Sequence, residues 1–262
     1  MKRNLFRFLA VAALVATPLA SAAAATIFTD NFSSGSTVNG LSVPGGTTNA
    51  SFTSYDIAST KNATNLTAAG HFVLALGVGT ISGGDEAQAL FAATPVPLVY
   101  PDDYIECAVV FTDNGGSLLA GGPGSALWMG LFNSGGSAPV AGGLAASGLT
   151  SASGSGFATG NCANWQGYVA QVQSNGTARI ITRPIQNGAG TTSANQDLVG
   201  NDAGNGFYNN PVGTVLVTIP TNNIVLASGS QYTLLLRITL SATGTLTISN
   251  SLYSGADRKS VV

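Results

Sequence analysis

Three groups of side chains in this 262-residue chain have the types and spacing to do chemistry. Asp102, Asp103 and Glu106 bring three carboxyl groups close together in sequence. Hydrolysis of a glycosidic bond needs two such groups, one to protonate the leaving oxygen and one to attack or to activate water. Against that reading, Glu86 and Glu106 are the only glutamates, and Asp102 and Asp103 follow Pro101, where a loop enters a strand. Asp197, Asn201, Asp202 and Asn205 cluster oxygen donors in one Asn- and Gly-rich stretch. Hard cations need only such oxygens, so Asp197 and Asp202 are candidate calcium ligands, although the spacing fits no EF-hand loop. Tyr168, Arg179 and Arg183 form the third group: a ring to stack on the apolar face of a sugar, with planar polar groups beside it. The competing reading packs Tyr168 in the core and leaves both arginines capping a sheet edge. His71 is the sole histidine, which limits any histidine-based triad or multi-histidine metal site.

The third group depends on a hairpin. Asn175-Gly176 lies between two runs rich in β-branched and aromatic residues, the strongest short-range hairpin signal, and both residues tolerate the positive φ of a type I′ turn. A two-residue turn there sets Ser174 opposite Thr177. It then pairs Val172 with Arg179, Ala170 with Ile181 and Tyr168 with Arg183, all on one face. Trp165, Val169 and Gln171 share the other face with Ala178, Ile180 and Thr182. Trp128 and Trp165 are assigned to the core.

Around the hairpin the chain reads as strands only. Strands are expected at 26–32, 51–58, 71–78, 88–93, 104–112, 125–133, 212–219, 232–240 and 245–252, with Thr243-Gly244 a turn. Pro95, Pro97 and Pro101 mark a connection between layers, and 134–160 reads as a long Gly-, Ser- and Ala-rich loop. No window beyond the N-terminal segment holds a 3.6-residue apolar period. The fold class is therefore all-β, a two-sheet antiparallel β-sandwich or jelly roll.

The ends differ from the body. Lys2, Arg3 and Arg7, an apolar run from Phe8 to Val15 and the small residues before Ala25 read as a secretory signal peptide over 1–25. No later run is long and apolar enough to span a bilayer. The last six residues, 257–262, match the frame translation of a common sequencing adaptor, so the β-sandwich domain, 26–256, is expected to lack its last strands. The body keeps four basic side chains, Lys61, Arg179, Arg183 and Arg237, against ten carboxylates. Four cations make no phosphate-binding stripe, which argues against nucleic acid as a partner. Cys107 and Cys162 admit a disulfide in an exported chain. Cys107 alternates with Ile105, Val109 and Phe111, so a buried unpaired thiol is the equal alternative.

The order of LWMGLFNSGG (127–136), WQGYVAQV (165–172) and QYTLLLRITLSATGTLTISNSLYSG (231–255) resembles the concanavalin A-like lectin/glucanase sandwich, laminin-G-like branch. It resembles in particular exported bacterial proteins that end in a PEP-CTERM sorting signal. That resemblance covers roughly 27–255 and implies two curved antiparallel sheets with a concave face. It implies a non-catalytic structural or adhesive protein of the bacterial cell surface or extracellular matrix. The alternative is a carbohydrate-binding module using the concave sheet, and the third reading is a glycoside hydrolase.

Overall fold

The structure, a computed structural model, describes residues 25–29, 36–37, 55–59, 64–68, 71–75, 85–89, 91–92, 94–114, 126–135, 165–173, 177–183, 214–219, 226–256 and 260–261. Thirteen strands lie among them: β1 (Ser36–Thr37), β2 (Tyr55–Ser59), β3 (Thr64–Ala68), β4 (His71–Ala75), β5 (Asp85–Ala89), β6 (Tyr104–Thr112), β7 (Ala126–Asn133), β8 (Gln166–Gln173), β9 (Ala178–Arg183), β10 (Thr214–Ile219), β11 (Gln231–Leu240), β12 (Leu246–Ser254) and β13 (Ser260–Val261). No helix occurs among the described residues, and every strand pairing is antiparallel. Two four-stranded sheets, ordered β10-β9-β8-β7 and β13-β12-β11-β6, carry the core; β1-β3-β4 and β2-β5 form smaller sheets. Ala25 to Thr29 belongs to no ladder, β1 and β3 were not expected, and β13 arises in the stretch assigned to adaptor, pairing with Tyr253 and Ser254.

The strands of the two large sheets follow from period-two alternation. Along β11, Tyr232, Leu234, Leu236 and Ile238 point inward and are almost fully buried; on the opposite face Thr233 and Leu235 are buried as well and Arg237 is partly exposed. From the facing sheet Met129, Leu131, Ala170 and Val172 join them, with Leu226 and Leu252 closing the cluster. Burying a leucine completely, as at Leu234 and Leu236, stabilises by about 1.5–3 kcal/mol each. The sheets are therefore held face to face by one apolar layer. Between β11 and β12 the chain turns at Gly244, whose φ of 79° is open to a residue without a Cβ, and Ser241 N–H donates to the Thr245 carbonyl at 2.8 Å.

The hairpin of β8 and β9 has a different register from the one its turn residues predict. Gln173 N–H donates to the Thr177 carbonyl, and Tyr168 pairs with Thr182, Ala170 with Ile180, Gln171 with Arg179 and Gly167 with Arg183. Three residues, 174–176, thus connect the strands instead of two. A one-residue slip moves a whole strand's side chains to the other face. The predicted register would have put Arg179 and Arg183 beside Ala170 and Val172, inside the apolar layer. In the observed register Arg183 is still buried but reaches the Trp165 carbonyl, and a buried guanidinium with a hydrogen-bond partner costs far less than one set against Ala170 and Val172. The observed register sends both arginines to the opposite face and leaves Tyr168, Ala170, Val172 and Ile180 on the core side.

Candidate functional site

Register alone decides where the sugar-binding candidates stand. Tyr168 packs against the core between the sheets, while Arg179 and Arg183 lie on the other, outer face of the β7–β10 sheet, where Val169, Gln171, Ile181 and Arg183 are nonetheless buried. The three do not share a face, and the expectation of one Tyr168–Arg179–Arg183 surface is corrected. Arg183 is 1% exposed, and its Nη1 donates to the Trp165 carbonyl, tying the end of β9 to the start of β8. It is an interior fastening rather than a surface cation.

The outer face that receives the arginines holds residues the sequence reading had placed elsewhere. β7 contributes Trp128 and Phe132, β8 contributes Val169, Gln171 and Gln173, and β9 contributes Arg179, Ile181 and Arg183. Across the sheet one row reads Trp128, Gln171, Arg179 and Thr218, each residue paired with the next. Gln171 is 0% exposed, and neither its Oε1 nor its Nε2 has a hydrogen-bond partner. Arg179 Nε is likewise buried and unpartnered, although the Arg179 carbonyl accepts from Asn250 Nδ2 at 3.4 Å. Buried amide groups nearly always find partners, in protein or in ordered water, so these atoms are where a bound water or a ligand group would be received.

Two glycines shape the aromatic side of this face. A Cβ on Gly130 would collide with the Phe132 ring, and one on Gly167 would collide with the Leu131 carbonyl and the Phe132 backbone. Phe132 therefore lies over bare backbone, with Trp128 two positions before Gly130 on the same strand face. Trp128 is only partly buried, and Trp165, though 3% exposed, belongs to the outer layer instead of the core between the sheets.

The carboxylates are occupied by the fold. Asp103 accepts from the backbone N–H groups of Val99 and Tyr100, each at 2.8 Å. Those bonds, Tyr100's first and then Val99's, hold its carboxyl below the usual aspartate range. Asp102 beside it has a φ of 70° in the turn that feeds β6, where its N–H donates to the Leu240 carbonyl. Glu106 lies opposite Arg237 on β11, whose Nε and Nη2 both donate to Glu106 Oε2, at 2.7 and 2.5 Å. The same guanidinium stacks over the Tyr104 ring at 4.3 Å. A carboxylate locked in a turn and another clamped by arginine do not make an acid–base pair.

Cys107 is a free thiol packed against the core, pushed up to about 11 by burial first and by the Glu106 charge second. Cys162, Asp197 and Asp202 lie outside the described residues. Among the described residues no three His, Cys, Asp or Glu side chains come together, and no helix is long and apolar enough to cross a membrane. Comparison with protein-family models, with curated proteins and with solved structures returns no match.

Proposed function

We propose that this chain is a non-catalytic, exported β-sandwich of a bacterial cell surface or extracellular matrix, concanavalin A-like in type, that adheres by binding glycan. The supporting observation is the row across the outer face of the β7–β10 sheet, where the amide of Gln171 is buried without a partner between Trp128 and Arg179. An indole to stack on a sugar, an amide that both donates and accepts, and a planar guanidinium are the parts a saccharide site uses. The non-catalytic half of the reading rests on the engagement of Asp103 and Glu106 in turn and ion pair. Binding is therefore expected on this face and not through Tyr168.

A glycan array with the purified protein tests the reading. Saturable binding that is lost in Trp128→Ala and kept in Tyr168→Phe is expected. Binding indifferent to Trp128→Ala would remove the site, and glycan hydrolysis abolished by Glu106→Gln would remove the non-catalytic assignment.

A further inference from the structure

The charge of the outer face narrows the ligand. Among the described residues of that face there is no carboxylate: β7 offers Ala126, Trp128, Gly130 and Phe132, β8 offers Gly167, Val169, Gln171 and Gln173, and β9 offers Arg179, Ile181 and Arg183. The one ion pair between described residues is Glu106 with Arg237, on the other large sheet. Arg183 is committed to the Trp165 carbonyl. Among the described residues Arg179 thus carries its charge into a partly buried position without an opposing anion, an arrangement that costs free energy unless an anion arrives.

We propose that the row Trp128, Gln171 and Arg179 binds the carboxylate-bearing ring of an acidic polysaccharide, a uronic acid. This rests on the glycan-binding reading and adds the ligand's class. Gln171 and Arg179 are directly opposed in the ladder, with Cβ atoms about 5 Å apart, and Gln171 Nε2 and Arg179 Nε are both buried N–H donors with nothing to donate to. A carboxylate has two oxygens and accepts from both, with the guanidinium supplying the charge. Gln171 Oε1 is left to accept from a ring hydroxyl, and Trp128, paired to the other side of Gln171, offers its indole to the apolar face of the sugar. Exposure rises along the row from Gln171 at 0% through the partly exposed Arg179 to the exposed Thr218 on edge strand β10. The ring then lies on the Trp128 side of Gln171 and the carboxylate on its Arg179 side. A neutral sugar fills the same stacking position but leaves the arginine uncompensated.

Isothermal titration with trigalacturonate and with maltotriose, the second a neutral trisaccharide, tests the proposal. The protein is expected to bind trigalacturonate at least tenfold more tightly than maltotriose, with an affinity that falls as salt rises. Arg179→Met is expected to weaken trigalacturonate at least tenfold, with Arg179→Lys between the two. Gln171→Leu is expected to weaken it while raising the melting temperature, since an isosteric apolar side chain relieves the orphan amide; a merely structural Gln171 would leave binding unchanged. Circular dichroism on each variant separates lost binding from lost folding. Equal binding of both trisaccharides, lost in Trp128→Ala, would overturn the acidic ligand and leave the glycan reading standing. Failure to bind any glycan would overturn both, and trigalacturonate binding untouched by Arg179→Met and Gln171→Leu would overturn the site.

Discussion

Arg237 and Arg179 occupy comparable places, each on a strand of a four-stranded sheet with its side chain facing away from the apolar layer, yet their surroundings differ. Arg237 has a carboxylate directly across the ladder and an aromatic ring beneath it, so charge, donors and plane are all matched within the fold. Arg179 has an unpartnered amide across the ladder and no carboxylate on its face among the described residues. The same side chain is structural in one sheet and available in the other. What distinguishes the two is the residue opposite, which strand register sets.

The largest effect bearing on that difference comes from the backbone that holds Gln171 in line. Gly167→Ala drives a methyl into the Leu131 carbonyl, so β7 and β8 must part at that pair; a loss of about 3 kcal/mol is expected in urea unfolding. If the loss is under about 0.5 kcal/mol, the two strands do not approach as described. Arg183→Met leaves the Trp165 carbonyl without its arginine donor and is expected to cost about 1–3 kcal/mol, separating this fastening from its neighbour Arg179. An unchanged midpoint would place Arg183 with the available cations. Gln171→Leu is expected to act in the opposite direction and stabilise by about 1 kcal/mol, because the amide satisfies nothing in the unliganded fold. Destabilisation there would mean that the amide has a partner.

For the satisfied arginine, a double-mutant cycle on Glu106 and Arg237 should return a coupling of about 0.5 kcal/mol, since the arginine is well exposed and solvent screens the pair. Coupling several times larger would make the two sheets less different than described. The smallest expected effect concerns Cys107, whose thiol is pushed up to about 11 from an ordinary value of 9.0. Its folded value is raised, so its contribution is complete below pH 9.0 and is lost as pH climbs towards about 11. Melting temperatures should fall across that window and fall less in Cys107→Ala. Parallel curves would mean that the thiol is not buried.

Local sequence made most of the large-sheet strands legible. Alternation placed β6 at its observed bounds, and Thr243-Gly244 was read as the turn it is. The site was less legible because it hangs on a single register step. Asn175-Gly176 argues for a two-residue turn, and nothing nearby in sequence opposes it. The opposing influence is the apolar layer supplied by β11, which rejects Arg179 and Arg183 from the side of Ala170 and Val172. A signal was present: demanding that the hairpin collect its two arginines and Gln171 on one face selects the observed register. Trp128 was misplaced for a related reason, since indole is usually core, and only pairing with Gln171 reveals its outward face.

In the proposed site the Gln171 amide receives the ligand's carboxylate. That side-chain amide can be followed directly by nitrogen-resolved NMR while trigalacturonate is added, with Gln171→Leu identifying the resonance. The account predicts that this signal shifts saturably, together with the Trp128 indole N–H. An amide signal that stays fixed while trigalacturonate binds would contradict it.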